Sequence, residues 1–591
     1  MTGLLVRSSL HKHPGSNTET CGWKSHMCSH TRIRPVIGAS CHTNSTRSQC
    51  RISATTNEPI DVVNNNSEEV STDIVVIGSG IGGLCCAALL ARAGYSVVVC
   101  ESHYHPGGAA HAFEVDGYMF DAGPSFHAGL SGPPGQATNP LKQVLDAIDE
   151  RVECTTYDRW ITYTPEGDFP CVCDREEYIG MIRRIGGETA YSQWLALEEK
   201  MKPLQKGASL FPAAAIRSDI GIILTAMQFG PGLLSTGLYA NQLTGPFGDI
   251  VNQVVTDPWL KNFLDLECFV LSGMKAKDTI AAEMAFMFME RNGGESTIDY
   301  PMGGGGAIVD ALTRGIEKYN GTILLSTHVD KVMIENGRAT GVHVNSKTSK
   351  HLTTIKARKA VVSNASVWDT AKLLQASGFD NTRILEEKSS TPTTGSFMHL
   401  HLGIDATDLP RDLDCHHLIV NHWDDIEAPQ NVCIISIPSV FDSSLAPPGK
   451  AVVHAYTAGN EPWSVWKNVR PGSPEYKALK KERTQVLWKA LERVIPDIRQ
   501  RAEVVLEGSP HTHARFLRRH QGTYGPAISA RKSSFPGPTS WPITSLYTCG
   551  DSCMPGIGVP AAAASGMIVA NTLTPIRDHL NLIASLQLIP K

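Results

Sequence analysis

The sequence predicts an α/β protein: a Rossmann-type dinucleotide-binding domain that carries an inserted α+β domain. Three observations predict it. Residues 73–101 run as a β-branched strand, a glycine turn, an Ala/Leu-rich helix, a second apolar run and an acid. That is the dinucleotide fingerprint in its required context. Strand-like and helical runs alternate again over 296–370, and a further strand-to-helix unit with Gly550-Asp551 in its turn follows residue 546. With 591 residues and 42% hydrophobic composition, the chain can bury the cores of two or more folding units. The stretches 150–295 and 371–530 are left for the second domain.

Each residue of the first turn has a physical task. Gly78 permits the tight bend, Gly80 has no side chain to obstruct a pyrophosphate, and Gly83 lets the helix sit close to the strand. Gly82 extends the side-chain-free approach. Backbone N–H groups at the helix start, aided by the helix dipole, suit phosphate charge. Glu101 falls near the ~20-residue spacing expected for a carboxylate that accepts from ribose hydroxyls, and its charge disfavours a 2′-phosphate. Pro106-Gly107-Gly108 adds a second side-chain-free stretch just beyond the acid.

The middle segment opens at Met302-Gly303-Gly304-Gly305-Gly306 and continues as a helix over 307–319 and a β-like run over 322–325. Asn336-Gly337 between two β-rich runs is a strong tight-turn signal. Residues 360–365 form another β-rich run ending at Asn364. In the last unit Asp551 is placed to accept from sugar-like hydroxyls or to stand near a pyrophosphate. The helix start at 559–561 presents N–H donors.

These pieces resemble the large FAD flavoprotein family that holds amine oxidases, phytoene desaturases and carotenoid isomerases. Gly107-Gly108 and the turn Asp121-Ala122-Gly123-Pro124-Ser125 carry the resemblance. It implies FAD as cofactor on a glutathione-reductase-like fold, with Gly107-Gly108 along the cofactor and the backbone near Val329 on its adenine side. The match narrows to the carotenoid (prolycopene) isomerases and their isomerase-like relatives through DLECFVLSG at 265–273, IDYPMGGGGAI at 298–308, HARFLRRHQGTYGP at 513–526 and CGDSCMPGIGVP at 549–560. The family carries bulkier apolar residues where this chain has Pro560-Ala561-Ala562-Ala563-Ala564, a departure that implies a reshaped substrate tunnel.

The resemblance implies cis–trans isomerisation of a carotenoid polyene by bound reduced FAD, with NAD(P)H a candidate reductant. Saturation or desaturation of a carotenoid- or retinoid-like chain is the second reading, and a non-catalytic carotenoid-binding flavoprotein the third. None of these reactions needs a nucleophile triad or a metal cluster. Glu267, an acid inside the apolar run 264–271, is the one candidate proton donor, against the plainer reading of a hydrogen-bonded core carboxylate. His399 and His401 alternate on one strand face, and the adjacent pair His416-His417 raises the same metal question. Without an acid or Cys partner they read as structural, and no metal is expected. Arg515, Arg518 and Arg519 read as a solvated helix face.

Residues 1–56 hold seven bases and the single acid Glu19, with abundant Ser and Thr, the composition of an organellar and preferably chloroplast transit peptide. Residues 57–72 read as a polar linker. Loss of the leader makes a chain of net charge −5 more acidic still, which excludes nucleic acid as an expected partner. The expected division gives 73–149, 296–370 and 531–591 to the cofactor domain, and 150–295 and 371–530 to the substrate domain. The 15 cysteines lack disulfide spacing. The uncharged segment 220–248 is broken by Gly and Pro, too often for the ~20 predominantly apolar residues of a span. It reads as a stretch that touches a plastid membrane face, or as a buried helix pair.

Overall fold

The computed structural model describes residues 68–589, apart from 134, 136, 210–211, 230–239 and 293–297. The expected transit peptide, most of the linker and the centre of segment 220–248 lie outside the described residues.

A seven-stranded sheet forms around the fingerprint strand. Strand Glu69–Ile77 lies between Val97–Cys100 and Thr354–Ser363, parallel to both, and Thr322–Leu324 adds a parallel edge. Leu546–Thr548 pairs in parallel with the end of Thr354–Ser363, while the hairpin Thr327–Glu335/Arg338–Ser346 pairs with its start. Ile74, Val75 and Val76 are fully buried, as a parallel strand covered on both faces requires. Helices Ile81–Arg92 and Val559–Leu573 pack on one another against this sheet. The hairpin turn has Asn336 at φ 49° and Gly337 at φ 74°, the positive pair that matches strand twist. Strand pairing reaches further back than the expected linker boundary. Glu69–Thr72 pair with Thr354–Ala357 because Val70 and Thr72 are buried there.

The second sheet also has seven strands, in the order Ala502–Gly508, His399–Asp405, Lys450–Thr457, Val432–Ser436, His416–Val420, Arg159–Thr164, Gly167–Val172. Neighbours are antiparallel except His416–Val420 beside Arg159–Thr164. Helices Arg175–Ser209, interrupted at Gly187, Pro258–Ser272 and Ala281–Asn292 share a core with it around Trp194, Phe263 and Phe288. Helix Pro258–Ser272 is bounded by its own sequence. The Asp257 side chain accepts from Leu260 N at 2.9 Å, Pro258 opens the first turn, and Gly273 closes it at φ 73°. The described cysteines are free thiols. Among the described residues no helix is long and apolar enough to cross a membrane.

Candidate active site

A cavity of about 1320 Å³ runs from the glycine turns of the first sheet to the apolar wall of the second. It exceeds the roughly 300–1,000 Å³ that holds a drug-sized ligand. One end is lined by Gly78, Gly80, Glu101, Gly107, Gly108 and Gly550. The other is lined by Trp160, Phe263, Phe286, Phe397, Leu418 and Tyr456.

The glycine end is stitched together from distant segments. Gly78 stands at φ 89°. Gly80 is extended, and no side chain caps the helix that follows it, so its first N–H groups are free at the cavity wall. Gly107 N donates to Ser79 O at 3.0 Å and to Ser79 Oγ at 3.2 Å. A methyl on Gly108 would stand 3.0 Å from Gly80 Cα. Gly107-Gly108 therefore pack directly on the first turn. Gly83 and Gly82 serve packing: a methyl on Gly83 would meet Gly78 O at 2.2 Å, and one on Gly82 would meet Gly550 N at 2.9 Å.

Glu101 is largely engaged within the chain. Oε2 accepts from Ser79 N at 2.8 Å and Ser79 Oγ at 2.7 Å, and Oε1 accepts from His103 N at 2.7 Å. Of roughly four lone-pair sites on a carboxylate, one is left for a ligand hydroxyl. Val329 is buried on strand Thr327–Glu335 and lines the cavity. Asp551 Oδ2 accepts from Arg519 Nη2 at 2.6 Å. Arg519, expected on a solvated face, instead lines the cavity and also donates to the carbonyls of Thr523 and Tyr524. Val559 starts helix Val559–Leu573, whose N-cap Gly558 has φ 101° and no side-chain cap. Two uncapped helix starts thus open on one cavity. Asp121 Oδ1 accepts from Gly305 N at 2.7 Å and so serves helix Gly305–Lys318; burial pushes its carboxyl up to about 6.

Glu267 lines the cavity as half of an ion pair. Its Oε1 accepts from Arg291 Nη2 at 2.7 Å and from the Tyr178 hydroxyl at 2.5 Å, and Arg291 lies 3.8 Å from the Tyr178 ring centre. Sequence reasoning missed Glu283 and Glu290, both on helix Ala281–Asn292 and both on the cavity wall. Burial pushes them up to about 8 and about 7, Glu290 with help from Asp299. Each sits in an apolar run as Glu267 does, and only the fold decides which acid meets a cation.

The histidine strand gains a partner that its own motif lacks. His454 lies opposite His401 on the next strand, and nitrogen atoms of His399, His401 and His454 come within 4.8 Å of one another. The rings are nearly parallel, at 8–15°. Neighbouring ring nitrogens are hydrogen-bonded: His399 Nδ1 to His454 Nε2 at 2.8 Å and His399 Nε2 to His513 Nε2 at 2.6 Å, while His401 Nε2 bonds the Asp121 carbonyl at 3.0 Å.

The NAD(P)-binding Rossmann-like domain family matches residues 76–146, and the GMC oxidoreductase family matches residues 305–403. Prolycopene isomerase 1, chloroplastic, of an Oncidium hybrid cultivar is 32% identical over 522 residues, covering 84% of this chain and 83% of the relative. The chain belongs to the prolycopene isomerase family. This places it in the carotenoid isomerase branch of the desaturase–oxidase flavoproteins, as an FAD-dependent enzyme. The all-trans-retinol 13,14-reductase of Danio rerio is 25% identical over 524 residues, covering 82% of each chain. An oxidoreductase of Methanosarcina mazei shares the fold, with TM-score 0.53 and 20% identity over 84% of this chain and 98% of the other. The residues present fit FAD: a cavity end lined by glycine backbone, two uncapped helix starts for anionic groups and one open lone-pair site on Glu101.

Proposed function

We propose that this enzyme converts cis double bonds of a carotenoid-like polyene to trans, with FAD bound in reduced form. The observation that carries the reading is the continuity of one cavity from the glycine cradle to an apolar, aromatic wall. A polyene lying along that wall reaches the cofactor end within one cavity. When bound, reduced flavin supplies electron density that lowers the order of a polyene double bond.

The chain's own residues do the rest. Gly78, Gly80, Gly82 and Gly83 shape the cradle, with Gly107 and Gly108 beside them. Free N–H groups after Gly80 and Gly558 hold anionic groups of the cofactor. Glu101 offers its remaining lone pair to a ribose hydroxyl, Val329 borders the adenine side, and Asp551 with Arg519 closes the loop before Val559. Phe286, Met287, Phe397 and Leu418 orient the polyene and exclude water. In this reading the cofactor domain is drawn from 73–149, 296–370 and 531–591, and the substrate domain from 150–295 and 371–530.

The enzyme works in the plastid, against a membrane face that delivers its apolar substrate. Exposed Ile220 (83%), Ile223, Leu224 and Met227 support that contact. Their replacement by serine abolishes co-sedimentation with galactolipid vesicles if the patch is the docking face, and leaves it unchanged if it is not. NAD(P)H is the proposed reductant.

Anaerobic incubation of purified protein with reduced FAD and a panel of cis-carotenoids tests the main reading. The expected product has unchanged mass and a trans bond. Similarity to a retinol reductase favours one alternative, saturation, in which the product gains two hydrogens. Unchanged carotenoids throughout, with binding retained, would leave a carotenoid-binding flavoprotein.

A further inference from the structure

We propose that Glu283 is the acid that lends a proton to the polyene and takes it back, a step that rests on the isomerase reading above. Glu283 stands in the first turn of helix Ala281–Asn292 and lines the cavity. Among the described residues its Oε2 has no hydrogen-bond partner. A methyl on Gly556 would lie 3.2 Å from its Oε1. Gly556 belongs to the loop that enters the uncapped helix Val559–Leu573, so the carboxyl sits where the apolar wall meets the cofactor end. Phe286 and Met287, one turn along the same helix, continue that wall.

Among the described residues no cation forms an ion pair with Glu283, in contrast to Glu267, which Arg291 holds at 2.7 Å. Among the described residues, the titratable groups that its charge reaches are Tyr524, from the loop after helix Pro510–Phe516, and Cys268, from helix Pro258–Ser272. Neither carries charge at neutral pH, and burial pushes both upward. A carboxyl in such surroundings keeps its proton. Burial alone raises Glu283 to about 8, so it is a neutral acid at neutral pH.

The step balances without an oxidant or reductant. The O–H bond of Glu283 breaks and a C–H bond forms on a polyene carbon, using the π pair of the cis double bond. The positive charge spreads along the conjugated chain, and the former double bond turns. The Glu283 carboxylate then removes a proton from the same carbon, and the π bond re-forms in the trans geometry.

Turnover in D2O tests this. The wild type is expected to place deuterium on vinylic carbons of the polyene and to lose activity as pH rises through about 8. Glu283→Gln should bind FAD normally by visible absorbance, lose about 10²–10⁴-fold in turnover and incorporate no deuterium. Glu283→Asp should recover part of both. Isomerisation by Glu283→Gln at the wild-type rate, or wild-type turnover without deuterium uptake, overturns the proposal. If the wild type isomerises no polyene at all, the isomerase reading itself falls and this proposal falls with it, an outcome distinct because it precedes any variant.

Discussion

Asn364 Nδ2 donates to the Gly78 carbonyl at 3.3 Å across 286 positions of sequence. The same side chain stands beside the first turn and Gly550. Its amide would lie 2.9 Å from a methyl on Gly80 and 3.0 Å from one on Gly83, and its Oδ1 2.7 Å from one on Gly550. Cys549 Sγ approaches that Oδ1 at 3.7 Å. One amide therefore registers the first turn, the returning strand and the final unit against one another.

Replacing Asn364 by Ala removes this register and leaves the Gly78 carbonyl without its side-chain donor. The expected cost is about 1–3 kcal/mol of stability, with weaker FAD binding measured by flavin fluorescence. Asn364→Asp should be worse, because a carboxylate cannot donate to a carbonyl. Unchanged melting and unchanged FAD affinity in both variants would remove Asn364 from this role.

That hub shows where the sequence is legible and where it is not. The fingerprint at 73–101 could be read directly because its signals are local: period, turn glycines and spacing. The Asn336-Gly337 hairpin was legible for the same reason. Asn364 looked like the end of a β-rich run, since its partners lie in remote segments. Glu101 reads as a ribose acceptor, but nothing local shows that Ser79 takes two of its lone pairs. Glu267 and Glu283 look alike in sequence, each an acid among apolar residues. Arg291 turns one into an ion pair, and only the packing of helices Pro258–Ser272 and Ala281–Asn292 makes that meeting. Arg519 likewise needed the fold to bring Asp551 to it.

Glycines of the first turn and of helix Val559–Leu573, packed against the helix that follows it, should separate into two classes. A methyl on Gly83 strikes backbone, Gly78 O at 2.2 Å, and one on Gly566 strikes Gly82 O at 2.2 Å. Neither can relax without moving a helix, so Gly83→Ala and Gly566→Ala should each cost about 1–3 kcal/mol or more and yield little soluble protein. Gly80 has ordinary φ of −61°, and its methyl meets only a side-chain end, the Asn364 amide at 2.9 Å. Gly80→Ala should therefore lose no more stability than Asn364→Ala and bind FAD less tightly. Equal stability losses at all three positions would contradict this division.

Glu267 and Arg291 are both about 8% exposed at the side chain. Removing one partner strands a buried charge, so Glu267→Leu or Arg291→Leu alone should cost about 3–5 kcal/mol, whereas the double Glu267→Leu, Arg291→Leu variant should cost far less. Chemical denaturation of the four proteins measures the coupling. The folded double variant should retain turnover, since the pair holds structure. Loss of activity in a stably folded double variant would restore Glu267 as a participant in the chemistry.

Acid should unfold this protein through its histidine stack. Burial, followed by neighbouring imidazoles, pushes His399 and His454 well below the usual 6.5. His401 falls to about 4 and His513 to about 3, through burial first in each case. The folded state therefore keeps these rings neutral while the unfolded chain takes up protons below 6.5. Their contribution is complete above 6.5 and is lost as pH falls toward the folded values, by up to about 1.4 kcal/mol per pH unit for each ring. The buried carboxyls act in the other direction. Asp121, raised to about 6, and Glu283, raised to about 8, contribute most below the usual carboxylate range and lose that contribution as pH rises through the folded values. Stability should accordingly fall on both sides of a maximum. Thermal melts across pH should show a shallower acid limb in His454→Phe and a shallower alkaline limb in Glu283→Gln. A wild-type melting temperature that stays level from pH 6.5 to 4 would mean that the stack admits protons without strain, and the neutral-ring account would be wrong.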